Sequence, residues 1–163
     1  QVMPPSQAAA EFAKCAAKWA DDHIPDDVDC ATLASLAGRV AAAADATNAP
    51  VFAGWRNMPA PAEPKAAAIH HMNSLRELRF ARHADAVLAQ GIAPEDALLH
   101  RQPYMYALFG WGDPIESSAE IAADWNLAED TTNNALATAL AVLSADELDA
   151  FVSLANAAYA ASA

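Results

Sequence analysis

The segment that decides the fold is KAAAIHHMNSLRELRFARHADAVLAQ, residues 65–90. It contains neither glycine nor proline and is rich in alanine, the best intrinsic helix former. Pro64 precedes it and Gly91 follows it, an arrangement typical of the first position of a helix and of the position just after its end. The segment therefore predicts one long helix of about 26 residues, roughly 39 Å from end to end.

The rest of the chain has the composition of an all-α protein. Alanine makes up more than a quarter of its 163 residues, and only five are glycine. We expect a helical bundle of seven or eight helices around the long central helix, forming a single α-helical domain over residues 1–163. Because the chain begins at Gln1 rather than Met, it can also be the C-terminal part of a longer protein.

Caps and breakers predict the other elements. Ser6 and Asp29 are suitable N-caps for the first two helices, and Ser144 with Glu147 forms a capping box for the last. The four prolines between Asn48 and Pro64 predict an ordered loop, and a short aromatic segment is expected over 103–111. The remaining helices are expected over about 7–22, 30–47, 93–101, from Pro114 to Asp124, from Thr131 or Thr132 to Leu143, and 145–159.

The net charge of −12 restricts the partners. Such a chain repels phosphate backbones and anionic membrane surfaces, and no stretch is long and apolar enough to span a membrane. No basic recognition helix is evident. We therefore expect no nucleic acid, no membrane and a cytoplasmic location.

Several polar residues of the long helix fall on the face that its apolar residues predict to be buried. A 100° wheel places Ile69, Met72, Leu75, Phe80 and Val87 on one arc, which also holds Arg76, Arg79 and His83. His70, Asn73 and Glu77 follow along an adjacent stripe. Buried arginines need negative partners, so they either pair with acids of neighbouring helices or bind a ligand with negative charge.

The pattern is compatible with a ligand site. Trp55 and Trp111, together with Met58 and Phe109, either line an apolar pocket under the proline-rich loop or are simply core aromatics. The candidate ligand-binding residues are His70, Asn73, Arg76, Glu77, Arg79, His83, Trp55 and Trp111. Neither an HExxH nor an ExxH pair is present, so no metal site is expected, and no cofactor motif is recognisable. Whether Cys15 and Cys30 pair stays open.

Two functional hypotheses follow. The first is a binding or regulatory module that holds a small polar or anionic molecule, or a protein partner, against the central helix. The alternative is a small enzyme that uses His83 or Glu77 as acid or base in a helix-lined pocket. A homo-oligomer formed through an alanine-rich face is compatible with both.

The chain also resembles a known family. The run Pro50-Val51-Phe52-Ala53-Gly54-Trp55 and the LRE-x-R-x-x-x-H pattern at Leu75, Arg76, Glu77, Arg79 and His83 carry the likeness, with Gly91 and Gly110-Trp111 after them. These motifs resemble the C-terminal half of an uncharacterised actinobacterial helix-turn-helix-like family, some members of which accompany antibiotic-biosynthesis genes. The similar span covers about residues 35–112, and it implies an aligned polar helix.

Overall fold

The computed structural model describes residues 3–113 and 115–160. Every regular element in these two ranges is a helix, and they hold eight, which confirms the all-α class and the expected number. None of the described helices is long and apolar enough to cross a membrane. The helices are α1 (Pro5–His23), α2 (Cys30–Ala43), α3 (Pro50–Asn57), α4 (Pro64–Ala89), α5 (Pro94–Arg101), α6 (Tyr104–Leu108), α7 (Ala119–Leu140) and α8 (Ala145–Ala160).

Two of the three predicted caps are confirmed. The backbone N–H of Thr32 donates to Oδ1 of Asp29 at 3.0 Å. In the capping box, Ser144 N–H donates to Glu147 Oε2 at 2.9 Å, and Glu147 N–H donates to Ser144 Oγ at 3.3 Å. Ser6 is not a cap, because α1 already begins at Pro5, whose missing N–H and fixed φ suit the first helical position.

The helical content exceeds the prediction between positions 48 and 64. The expected loop contains α3, which begins at Pro50, so a residue interpreted as a breaker is the first residue of a helix. Helix α4 follows at Pro64 and ends at Ala89, within one residue of each predicted end. Helix α2 ends at Ala43 and so falls short of the predicted end at Thr47.

The helix predicted to end at Asp124 and the helix predicted to begin at Thr131 or Thr132 are one helix, α7. The hydroxyl of Thr131 donates to the carbonyl of Leu127 at 2.9 Å, and that of Thr132 donates to Ala128 at 2.7 Å. Both threonines therefore bond back into the same helix, as threonine does in helix interiors, and do not start a new one. The predicted start at Pro114 lies outside the described residues.

The chain divides into two compact units. Unit 1 consists of Gln1–Leu78 and Thr138–Ala163, and unit 2 of Arg79–Ala137. The single domain over residues 1–163 stays a prediction. In unit 1, Phe52 is fully buried, one apolar cluster surrounds Leu33, and another joins Leu36 and Val40 to Leu143.

Unit 1 also has a polar contact between helices distant in sequence. The Arg39 guanidinium on α2 bonds both carboxylate oxygens of Glu147 on α8 and donates to the carbonyl of Val142 at 3.1 Å. The arginine and the capping-box contact at Ser144 together lower the pKa of the Glu147 carboxyl to about 2. The two cysteines are free, Cys15 exposed and Cys30 buried.

Candidate functional site

A tight turn joins the end of α4 to α5 in unit 2. Gly91 has φ of +75°, a conformation that glycine adopts without strain. The N–H of Gly91 donates to the carbonyl of Leu88 at 3.0 Å, and that of Ile92 donates to Val87 at 3.3 Å. These two bonds form the Schellman motif that closes a helix, and they leave only residues 90–93 between α4 and α5.

Apolar packing holds this turn in place. Ile92 is 2% exposed and belongs to a buried cluster with Ala86 and Val87 of α4 and Ala128 of α7. Ala97 of α5, with Ile121 and Trp125 of α7, packs around that cluster. The end of α4, the turn, α5 and α7 therefore share one core, which fixes the direction in which α5 leaves the turn.

His83 of α4 contacts two residues of α7 in unit 2. Its Nδ1 lies 3.0 Å from Oγ1 of Thr132, and its ring meets that of Trp125 edge to face at 4.9 Å between centroids. Burial lowers the pKa of His83, the carboxylate of Glu129 raises it, and the charges of Arg79 and Arg101 lower it. The imidazole is therefore neutral near pH 7.

Arg79 is paired and not buried. Its Nη2 donates to Oε2 of Glu129 at 2.7 Å, and 45% of its side-chain surface is exposed. Exposed pairs of this kind contribute roughly 0.2–1 kcal/mol. The pair consequently positions the arginine at the surface more than it stabilises the fold.

The wheel prediction of a buried face is wrong at two polar positions and one apolar position. Arg76 keeps 64% of its side-chain surface, Arg79 is exposed as described above, and Phe80 is 68% exposed. Leu78, which lay outside the apolar arc, is 2% exposed. A few large residues defined the predicted arc, whereas the buried positions of α4 include the small residues Ala68, Ser74 and Ala86.

The predicted site residues are divided between the two units. Trp55, His70, Asn73, Arg76 and Glu77 belong to unit 1, whereas Arg79, His83 and Trp111 belong to unit 2. Asn73 is half-buried. Their role in binding a ligand stays a prediction.

In unit 1 the residue of this set that is truly buried is His70, 4% exposed. Its ring contacts Trp55 at 5.6 Å and its neighbour His71 at 5.2 Å. Nδ1 of His70 and Oγ of Ser74, one turn apart, have no hydrogen-bond partner among the described residues. Burial lowers the pKa of His70, and the adjacent His71 lowers it further.

Trp55 also borders a groove of unit 1. The groove has a volume of about 740 Å³, and its apolar lining includes Phe12 of α1, Val51 of α3 and Met58, which follows α3. Arg76 and Glu77 stand at its edge and pair with each other at 2.6 Å.

Trp111 packs locally in unit 2. It stacks on Phe109 at 5.2 Å and meets Tyr106 edge to face at 5.5 Å. Phe109 and Trp111 are 57% and 40% exposed, so they are not core aromatics.

The described residues offer little conventional chemistry. They contain no group of three or more His, Cys, Asp and Glu side chains placed to hold a metal ion. The best-organised polar cluster is the one around His83 in unit 2.

Sequence reasoning identified only part of that cluster. Thr132 was interpreted as a possible helix start and Glu129 was not among the candidate residues, although both contact His83 or Arg79. Trp125, Ala128, Glu129 and Thr132 follow helical spacing, so reading 119–140 as one helix would have placed them on one face.

Comparison with known proteins identifies a family. The profile described as "Helix-turn-helix family" matches residues 1–114, which is 114 of 163 residues and includes α1 to α6. The match extends the predicted resemblance, placed at about 35–112, to the start of the chain. No curated protein and no solved structure matches the chain at a significant level.

This match overturns the functional hypotheses. The module that holds a small polar or anionic ligand or a protein partner is wrong, and so is the alternative enzyme with His83 or Glu77 as acid or base, because the family suggests a DNA-binding regulatory module. The expectation of no nucleic acid is wrong for the same reason. Net charge describes the whole chain, whereas recognition depends on one short element and its local contacts.

Proposed function

Since the chain belongs to the helix-turn-helix family, we propose that it is a DNA-binding regulatory module. The observation that carries this proposal is the match over residues 1–114, which includes all of α4 and α5. We place the DNA-binding element in unit 2, at the end of α4, the turn 90–93 and α5.

The geometry of the turn supports this assignment. Helix-turn-helix elements join two helices through three or four residues, often with a glycine. The connection between α4 and α5 has four residues, 90–93, and includes Gly91. The connections between α1 and α2, α2 and α3, and α3 and α4 have six residues each. The buried Ile92 and the packing of both helices on α7 give the rigid three-helix support that a recognition helix needs.

Helix α5 is the proposed recognition helix. Its N-terminal residues Glu95 and Asp96 are exposed, Leu99 is buried, and Arg101 is exposed at the other end. Recognition helices contact base edges with their N-terminal residues, and carboxylates there accept hydrogen bonds from the N4 amino group of cytosine. We expect α5 to select cytosine opposite Glu95 or Asp96, with Arg101 on a phosphate.

The charge of unit 2 sets the energetics of binding. Residues 79–137 contain three arginines, Arg79, Arg82 and Arg101, no lysine, and nine Asp or Glu residues. Few phosphates can therefore be neutralised, so non-specific affinity is low, and log K falls with log salt with a slope of about −3 at the steepest. Base contacts and shape must supply most of the affinity.

The experiment is selection of bound duplexes from a random library, followed by fluorescence anisotropy with the enriched sequence and a scrambled one. Glu95→Gln and Arg101→Ala are the test variants. Lys18→Ala in unit 1, where Lys18 pairs with Asp22 on the exposed face of α1, is the control. We expect Glu95→Gln to lose about 1–3 kcal/mol of discrimination at one base pair, Arg101→Ala to weaken binding to all duplexes, and Lys18→Ala to bind as the wild type does. Failure to enrich any sequence would contradict the proposal.

We also propose that residues 1–163 act as a single domain and that the protein works in the cytoplasm, where DNA is accessible. We further propose that its relatives are actinobacterial proteins encoded near antibiotic-biosynthesis genes. The family match supports a regulator in general, and the motif at Leu75, Arg76 and Glu77 is the reason for the narrower kinship.

A further inference from the structure

Helix α5 is too short to define its own direction. It has eight residues, Pro94–Arg101, and isolated helices shorter than about 12–15 residues are marginal in water. Its N-terminal half is held by the turn, where Ile92 is buried, and by Ala97, which packs against the same cluster. A helix fixed at one end can still tilt, so the direction of α5 depends on what holds its C-terminal end.

One side chain of α7 contacts both helices of the proposed DNA-binding element. The ring of Trp125 lies 4.9 Å from the imidazole of His83 on α4 and 5.3 Å from that of His100 on α5, measured between centroids. Trp125 is half-buried and also packs against the buried cluster that contains Ile92. One rigid ring therefore connects the C-terminal end of α5 to α4.

The same end of α5 carries Arg101, the residue assigned to a phosphate. Its neighbour His100 has a second contact with the start of α7, because Nδ1 of His100 lies 3.3 Å from Oγ of Ser117. Arg101 is exposed, and its positive charge contributes to the lowered pKa of His83, so it lies near the imidazole that Trp125 contacts. The position of Arg101 consequently depends on how its neighbour is held.

We propose that Trp125 is a positioning residue for DNA binding, which fixes the tilt of α5 through His100 and thereby places Arg101 against a phosphate. Phosphate contacts set the register of a protein on the duplex, so the guanidinium needs a defined position. Trp125 lies beyond residue 114, where the family match ends, and α7 is therefore part of the DNA-binding unit although the profile does not include it. The role in DNA binding rests on the proposed function, whereas the role in orienting α5 does not.

The orientation of α5 is tested on the protein alone, by amide hydrogen exchange of the full chain. Trp125→Leu keeps an apolar side chain against the cluster, and His100→Ala removes the same ring contact from the side of α5. We expect both variants to exchange the amides of α5 about two- to tenfold faster than the wild type, the factor that an aromatic pair contributes to an equilibrium, with α8 of unit 1 unchanged. Unchanged exchange of α5 in His100→Ala, or equal acceleration in α5 and α8, overturns the proposal.

The link to DNA is tested by fluorescence anisotropy at pH 8 over a range of salt concentrations, with the duplex that the wild type selects. Loss of one phosphate contact reduces the steepness of log K against log salt by about 1. We expect His100→Ala and Arg101→Ala each to show this reduction, and the double variant to show no more than either, because both changes remove the same contact. Trp19→Leu is the matched control, since Trp19 stacks on His23 in unit 1, and it should keep the wild-type slope.

The outcomes separate the two proposals. A wild-type slope in His100→Ala, or additive reductions in the double variant with Arg101→Ala, overturns the positioning role in DNA binding. If no duplex is enriched but α5 exchanges faster in His100→Ala, the DNA-binding proposal fails and the orientation of α5 by Trp125 stands.

Discussion

The imidazole of His71 lies directly against the backbone of Gly38. A Cβ at Gly38 would lie 3.1 Å from Nε2 of His71 and 3.4 Å from two of its ring carbons. Helices α2 and α4 therefore approach each other closely because position 38 has no side chain. This contact explains a glycine inside α2, where it costs helix propensity.

The contact predicts non-additivity between Gly38 and His71. In a His71→Ala background, Gly38→Ala should stabilise unit 1 by roughly 0.5–1 kcal/mol, because alanine favours helix. In the wild type the gain should be cancelled or reversed, since the ring must move. Urea unfolding of the four proteins of this double-mutant cycle measures the difference. Equal effects in both backgrounds would show that the ring moves at no cost.

Truncation of Phe52 should lower the stability of the fold, whereas truncation of Phe80 should leave it almost unchanged. Phe52 is fully buried, and Arg56 packs over its ring with the guanidinium carbon 5.1 Å from the centroid. Phe52→Ala should cost about 3–5 kcal/mol of unfolding free energy. Phe80 is 68% exposed, so Phe80→Ala should change stability by no more than about 0.5 kcal/mol. Chemical denaturation tests the pair, and a large loss at Phe80 would contradict the observed orientation of α4.

The capping box predicts that replacing Ser144, which precedes α8, lowers stability, whereas replacing a serine inside α8 does not. Ser144→Ala removes the acceptor for the Glu147 N–H and should cost about 0.5–2 kcal/mol. Ser153→Ala is the matched control, because Ser153 is exposed in the middle of α8, where alanine is the better helix former. Thermal melts of both variants compare the two. If Ser153→Ala destabilises as much as Ser144→Ala, the cap is not the cause.

His70, which is buried, and His71, which is half-buried, predict a loss of stability in mild acid. Burial lowers the pKa of His70 and His71 in the folded chain, whereas both titrate near 6.5 when unfolded. Above 6.5 both states are neutral and the full stability is present. As the pH falls below 6.5 the unfolded chain takes up protons first, so stability declines. The melting temperature should drop between pH 7.5 and pH 5.5.

His70→Gln tests the origin of that decline. The variant should show a smaller drop than the wild type over the same range, whatever its stability at pH 7.5. His23→Gln is the control, since His23 is exposed and its replacement should leave the drop unchanged. An identical drop in His70→Gln would assign the effect to other groups.

Much of the secondary structure is local and could be predicted. Pro64 and Gly91 define the ends of α4 to within one residue, and the caps at Asp29 and Ser144 form the expected bonds. The errors arose where one residue type has two uses. Pro50 begins a helix instead of breaking one, and Thr132 bonds back to the helix instead of capping it.

The candidate site was less predictable, because it depends on which face of α4 is covered. The wheel placed Phe80 on the buried face and did not identify Ala68, Ser74 and Ala86 as buried positions. Glu129, which bonds Arg79 across 50 positions of sequence, could not be assigned without knowing that α7 lies beside α4 in unit 2.

The sequence by itself determined that the chain is all-α, where α4 begins and ends to within one residue, and that a short turn with Gly91 follows it, because propensity, proline and glycine act within a few residues. The tertiary structure alone decided which polar side chains meet. Packing brings Nδ1 of His83 within 3.0 Å of Oγ1 of Thr132 and Glu129 to Arg79. Hydrogen bonds and charges between distant helices depend on ångström distances that no local pattern encodes.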